Sequence, residues 1–401
     1  MAPEPRAQPE AGLLAERRRP RWLDRALVAG FLLVIALPAA GLFQDPRHGI
    51  AAFENRRPAR WPAVPATRAA LAAYPGAVER YLDDRFAWRA RLIGLDHWFR
   101  AVGLGVSPVP KVMIGKDRWL YFLGEDGRAL DRFYRSNDLF GERHIGRLRA
   151  ELLRRREALA RRGIPYVVVI VPEKFSVYPE YLPDHVRPVS PDAPLDRIVA
   201  ALARHPELRF VDLRPALRTA KPRGRLYYKS DSHWTVTGAL VGYEGLAPAL
   251  AAALPGWAPA PPPPLERYTV PAHRHSGDLA RMLGLPREFR ERDPLPLGRM
   301  LDDETSRCAR LRADPAPDGL YPSSTERRVY ACARPGLPRA LVYCDSQIFP
   351  LIPLLSDGFS RVVYALRAPM ELRQIDHERP DIVIEEMVER ALYLPAEQPL
   401  R

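Results

Sequence analysis

Tyr166-Val167-Val168-Val169-Ile170-Val171, running directly into Pro172-Glu173-Lys174, is the stretch that decides the fold. Its apolar, mostly β-branched residues show no alternation, which is the pattern of a strand buried on both faces. Upstream, residues 143–162 combine Leu and Arg at helical spacing and predict an amphipathic helix. Downstream, a helix over 193–204 leads to a strand at Arg209-Phe210-Val211. Arg225-Leu226-Tyr227-Tyr228 predicts another short strand, ahead of a helix over about 236–253. Ala340-Leu341-Val342-Tyr343, Arg361-Val362-Val363-Tyr364-Ala365 and Asp381-Ile382-Val383-Ile384-Glu385 repeat the buried-strand pattern, with helices over about 347–356 and between the last two strands. Strands alternating with helices predict an α/β, doubly wound, mainly parallel sheet over residues 141–401. An irregular insertion is expected at about 286–327.

The chain before this domain reads differently. Residues 1–25 are polar and Arg-rich, and the eighteen residues Ala26 to Phe43 are uncharged and mostly apolar. That length is about the minimum for a bilayer-crossing helix. The Arg cluster in front of it predicts one N-terminal transmembrane helix, a cytoplasmic tail, and a body exported to the periplasmic face of an inner membrane. The small residues around Leu37-Pro38-Ala39-Ala40-Gly41 leave a cleaved signal peptide as the competing reading. Residues 44–140 form a lead-in segment, with a hairpin expected over Lys111–Phe122 around Gly115-Lys116-Asp117.

The chain has 401 residues, of which 47% are hydrophobic and 27% charged, so disorder is excluded. The net charge of +13 is carried mainly by Arg spread along the whole sequence. No zinc-finger spacing, RNA-binding signature or basic block argues for nucleic acid. Diffuse Arg suits an anionic partner such as a membrane surface or a polyuronate chain, because guanidinium meets carboxylate bidentately, and equally fits Arg replacing Lys through genome composition, so the charge alone does not decide the partner. The three cysteines match no metal-site spacing, and no metal or cofactor is expected. In an oxidising compartment Cys308 and Cys332 can pair across a hairpin-like insertion, leaving Cys344 free.

Ligands of open parallel sheets bind where the carboxyl ends of strands meet loops. Pro172-Glu173-Lys174, Asp231-Ser232-His233 and Asp345-Ser346 are expected at such ends. A Ser at a strand-to-turn junction presents an exposed hydroxyl, a His can take its proton, and an Asp can fix the imidazole tautomer. Ser346, His233 and Asp231 are therefore the candidate catalytic residues, with Trp234 packing to hold their loop.

Asp231-Ser232-His233-Trp234 resembles the Asp-x-His-Trp signature of the alginate O-acetyltransferase AlgJ/AlgX family. Ile114-Gly115-Lys116-Asp117-Arg118-Trp119-Leu120, Val171-Pro172-Glu173-Lys174, Gly277-Asp278-Leu279-Ala280-Arg281-Met282-Leu283 and Glu385-Glu386-Met387-Val388-Glu389-Arg390 are similar to the same family in the same order. The resemblance implies an SGNH-hydrolase-like fold with Asp231, His233 and Ser346 as triad and a transiently acetylated Ser346. It further implies a polytopic membrane O-acyltransferase as acetyl donor and a hydroxyl of an exported polysaccharide as acceptor. An acetylesterase and a non-catalytic polysaccharide-binding component are the rival readings. Two departures stand out. The family's Gly-Asp-Ser reads Cys344-Asp345-Ser346, and the SGNH oxyanion Asn has no counterpart, since Asn55 and Asn137 are the only asparagines. Arg274 and His275 are candidates for the missing donor, and with Lys174 and Trp234 for substrate contact.

Overall fold

The computed structural model describes residues 21–40, 58–84, 89–130, 141–187, 193–261, 273–293, 308–311, 314–332 and 336–393. The chain forms two compact units, Met1–Leu95 and Asp96–Arg401.

In the first unit, helix α1 (Arg21–Ala40) starts inside the polar tail rather than at Ala26. The last residues of the expected span, 41–43, lie outside the described residues. Leu27, Val28, Phe31, Leu32, Leu33, Val34 and Ile35 are each more than half exposed. Helix α2 (Arg68–Asp84) ends on a buried Asp84, whose carboxylate accepts from Ala59 N at 2.6 Å.

The second unit opens within helix α3 (Arg89–Trp98) and continues through the antiparallel hairpin β1 (Val112–Ile114) and β2 (Leu120–Phe122). Leu120 N donates to Lys229 O at 2.9 Å and Tyr121 OH to Tyr178 O at 2.7 Å. These long-range bonds make the hairpin part of the sheet domain, which therefore begins well before residue 141. Helix α4 (Glu142–Ala160), strand β3 (Tyr166–Val171), helix α5 (Lys174–Val177), helix α6 (Pro194–Leu202), strand β4 (Arg209–Asp212), helix α7 (Arg214–Thr219) and helix α8 (Val236–Ala253) follow. A small hairpin, β5 (His273–His275) with β6 (Glu291–Asp293), brackets helix α9 (Asp278–Met282). The sheet resumes with β7 (Cys308–Leu311), β8 (Glu326–Cys332), β9 (Arg339–Cys344), helix α10 (Ile352–Ser356), β10 (Arg361–Leu366), helix α11 (Leu372–Glu378) and β11 (Ile382–Val388).

The seven-stranded sheet has the order β4-β3-β11-β9-β10-β8-β7. Its first five strands are parallel, and β8 and β7 add an antiparallel edge. Every residue of β3 is buried, although successive side chains point to opposite faces, so helices cover both sides. Helix α4 packs against α6, and α7 against α8. Helix α8 is long and apolar enough to cross a membrane, but it is mostly buried inside the protein and serves as a core helix.

Three expectations are corrected. Arg225–Tyr228 is not a strand: only the single bridge Tyr227–Trp234 forms, because the segment folds back on its own loop instead of reaching the sheet. The segment 286–327 is not wholly irregular, since β6 and the edge strand β7 lie within it; residues 294–307 and 312–313 are outside the described residues. The helix expected over 347–356 is a 3-10 turn (Ser346–Leu351) followed by α10, with Pro350 and Pro353 interrupting a continuous ladder. Cys308 and Cys332 face each other across β7 and β8 and form a disulfide, and Cys344 is a buried free thiol.

Candidate active site

Three segments far apart in sequence meet at the carboxyl edge of the parallel strands. Ser346 follows β9, and Asp345 before it is fixed by two amides: Gln347 N donates to its Oδ1 and Val388 N to its Oδ2, both at 2.8 Å. The second bond ties the end of β11 to the serine turn. His233 and Asp231 arrive on the loop ahead of α8. Ser346 Oγ lies 2.9 Å from His233 Nε2, and His233 Nδ1–H donates to Asp231 Oδ1 at 2.6 Å. Ser346 and His233 are half-buried, and Asp231 is buried.

The loop is held from several sides. The Asp231 Oδ2 atom accepts from His275 Nε2 at 3.2 Å and from Asp278 N at 3.1 Å. Asp278 in turn accepts from Ser232 N at 2.7 Å and from the Ser232 hydroxyl. Gly277 makes this docking possible: a Cβ there would sit 2.2 Å from Ser230 O. Trp234 is fully buried and lies over Gly242 of α8, where a Cβ would stand 2.5 Å from its ring.

Electrostatics follow from these partners. Burial works against a charged Asp231, yet the bonds from His233 and His275 prevail and hold its carboxyl well below the usual range. Burial also disfavours a protonated His233, but Asp231's bond and charge outweigh it and raise the imidazole pKa. Burial and the charge of Asp231 push Asp278 up. An imidazole with a carboxylate behind Nδ1 and a hydroxyl at Nε2 can deprotonate that hydroxyl and later return the proton.

Residues 112–312 match the family described as "SGNH hydrolase-like domain, acetyltransferase AlgX". The chain belongs to this family. The matched span contains Asp231 and His233, and Ser346 lies beyond it. Over 224 residues the chain is 30% identical to the probable alginate O-acetylase AlgJ of Pseudomonas syringae pv. tomato, covering 55% of this chain and 53% of that protein. A namesake from Pseudomonas putida is 33% identical over 143 residues, 35% of this chain and 34% of that one. The chain thus spans about half the length, or less, of these relatives. Among solved structures, the O-acetyltransferase domain of Pseudomonas putida AlgJ superposes with a TM-score of 0.47 at 22% identity, covering 71% of this chain and 92% of that one. Bacillus cereus PatB1 gives 0.47 at 14% identity, covering 70% and 96%.

Within the AlgX-family domain, not every candidate reaches the site's open side. Lys174 is buried, and its ammonium donates to Tyr228 O (2.8 Å), Lys229 O (3.2 Å) and Asp231 O (2.6 Å). Burial lowers its pKa to about 8, with Asp231, Asp278, Glu291 and Glu173 opposing the drop. Its three donors are directed to backbone carbonyls inside the protein, so Lys174 supports the Asp231 loop. Trp234 is likewise an internal pillar, because its only polar atom, Nε1, donates to Gln347 O at 2.8 Å. His275 Nε2 braces Asp231 from the other side. Arg274 lies in β5, and its side chain is outside the described residues.

The open side of Ser346 is a cavity of about 430 Å³ lined by Phe122, Asp126, Asp345, Arg367 and Arg390 among others. Arg367 belongs to no motif in the sequence, and Arg390 enters it only as the last residue of the Glu385–Arg390 segment. Their signal was position, since each directly follows the carboxyl end of a parallel strand or lies two residues beyond it. Both asparagines lie outside the described residues.

Proposed function

We propose that this protein is an O-acetyltransferase that modifies hydroxyls of an exported, alginate-like polysaccharide through an acetyl-Ser346 intermediate. The observation that carries the reading is the continuous chain Asp231 Oδ1–His233–Ser346 Oγ, with contacts of 2.6 and 2.9 Å. Ser346 Oγ adds to the carbonyl carbon of an acetyl ester as its proton passes to His233 Nε2. Collapse expels the donor's alkoxide, which takes that proton back. A sugar hydroxyl then repeats the sequence on acetyl-Ser346, with His233 again the base and Asp231 stabilising the imidazolium.

A carboxylate-bearing sugar suits the cavity, whose Arg367 is exposed and has no ion pair among the described residues. The acetyl donor in this reading is a polytopic membrane O-acyltransferase. Helix α1, with its exposed aliphatic side chains, is the anchor that keeps the domain at the periplasmic face of the inner membrane.

The test uses the full chain in detergent with an acetyl-ester donor and an oligouronate. Acetylated oligosaccharide and a +42 Da adduct on Ser346 (about one acetyl group by mass), both absent in Ser346→Ala, are expected. Acetate release without acetylated sugar would identify an esterase instead, and no adduct would leave a binding component.

A further inference from the structure

Acyl transfer needs donors aimed at the oxygen that becomes negative. The Ser346 amide is free to serve as one, since it meets no acceptor among the described residues. The next amide, Gln347 N, is occupied by Asp345 Oδ1 at 2.8 Å. No asparagine side chain is available among the described residues.

Arg390 lines the cavity beside Ser346. Its Nη1 donates to the carboxylate of Glu173, a buried residue, and its guanidinium lies 5.1 Å from the centre of the Phe122 ring. The other guanidinium N–H groups meet no acceptor among the described residues. Two bonds lock the end of β11 to the serine turn: Asp345 N to Glu386 Oε2 at 3.1 Å and Val388 N to Asp345 Oδ2 at 2.8 Å. Arg390 therefore sits two residues past one side of this clamp and Ser346 one residue past the other. Arg367, the cavity's other arginine, is exposed and lacks such fixing, so it costs more to order.

We propose that Arg390 is the second oxyanion donor, acting with the Ser346 amide. The inference rests on the acetyl-serine reading above. When Ser346 Oγ bonds to the acetyl carbon and its proton moves to His233, the carbonyl π pair moves onto oxygen. That anion accepts from Ser346 N–H and Arg390, and the pair returns to the carbonyl as the alkoxide departs. Glu173 balances the guanidinium charge in the resting protein, so Arg390 serves as a held fork of N–H donors.

The experiment measures the pre-steady-state burst of 4-nitrophenol from 4-nitrophenyl acetate with the full chain and no sugar acceptor. Arg390→Gln is expected to slow acylation on the order of 10²–10³-fold with KM little changed, and Arg390→Lys to slow it at least about tenfold. Lys keeps a cation against Glu173, so it decides the matter should the Gln variant misfold. The double variant Glu173→Gln/Arg390→Gln removes the buried charge altogether. A burst in Arg390→Lys within about threefold of the native rate would overturn the assignment alone. So would unchanged acylation with impaired transfer to sugar, which would make Arg390 an acceptor contact. No burst in the native protein would overturn the acetyl-serine reading and this one with it.

Discussion

Trp234 Nε1 donates to the carbonyl of Gln347 at 2.8 Å, so the residue after His233 is bonded to the residue after Ser346. The two halves of the site come from segments more than a hundred residues apart, and this bond sets their spacing from behind. Gln347 also reaches back, its Nε2 donating to Ser232 O at 3.3 Å. Trp234→Phe keeps most of the buried ring but removes the donor, leaving the Gln347 carbonyl without it. A loss of about 1–3 kcal/mol in unfolding free energy is expected. Because the ring locates the base and not the substrate, kcat should fall with KM nearly constant. Denaturant titration and ester-hydrolysis kinetics check both, and unchanged kcat would mean the spacing is set elsewhere.

The imidazole pKa gives a pH test. Asp231 raises it above the ordinary 6.5 against the pull of burial, and the base must be neutral to accept the serine proton. Acylation should therefore climb with pH along a limb centred above 6.5. In Asp231→Asn the limb should move to lower pH and the maximal rate fall on the order of 10³–10⁴-fold. The same pair is linked to stability. A raised His233 pKa contributes below the unfolded value and is lost as pH rises through the folded one. Asp231→Asn should accordingly lose more stability at pH near 6 than at pH near 9, relative to the native protein.

The parallel strands were legible because burial on both faces leaves a run of apolar residues that little else produces, as in Tyr166–Val171. Edge and loop elements gave no such sign. Cys308-Ala309-Arg310-Leu311 alternates too briefly to declare itself an edge strand, whereas Tyr227-Tyr228 is apolar because it is buried under the site loop. Site residues divided along similar lines. Asp231 and His233 sit two residues apart and could be read together, but their contact with Ser346 depends on β11 inserting between β3 and β9, an order that local sequence does not encode. In sequence Lys174 reads as a ligand-seeking cation. Its three backbone acceptors, two of them next to each other at 228 and 229, become visible only once the loop is folded around it.

The Cys308–Cys332 bridge spans a sequence separation of 24 at the β7–β8 edge. Closing a loop of that size stabilises by about 3 kcal/mol in the chain-entropy account. The strand that carries Ser346 is separated from β7 by β10 and β8. The Cys308→Ser/Cys332→Ser variant should thus unfold about 3 kcal/mol more easily while keeping its acylation rate within about twofold. Denaturation with and without reductant measures the first, and burst kinetics below the transition measure the second. A large kinetic loss would show that the edge strands transmit strain to the site.

Arg367 offers the sharpest separation of function from stability. It leaves β10 with φ at 57°, a conformation that costs a non-glycine residue about 1–2 kcal/mol, while its amide donates to Cys344 O at 2.9 Å. Glycine adopts that conformation freely but loses more chain entropy on folding, and the two effects offset one another. Arg367→Gly should leave stability within about 1 kcal/mol of the native value. The side chain faces the Ser346 cavity and has no ion pair among the described residues, so its loss should tell on an anionic acceptor. For transfer to an oligouronate, a rise in acceptor KM on the order of tenfold is expected, equivalent to one exposed charge-assisted contact. Acylation by 4-nitrophenyl acetate and transfer to a neutral oligosaccharide should be unaffected. Salt should weaken oligouronate transfer in the native protein more than in the variant, because screening acts only on the charge still present. Equal losses with both acceptors would instead place Arg367 in the shape of the cavity and remove the argument for a carboxylate-bearing substrate.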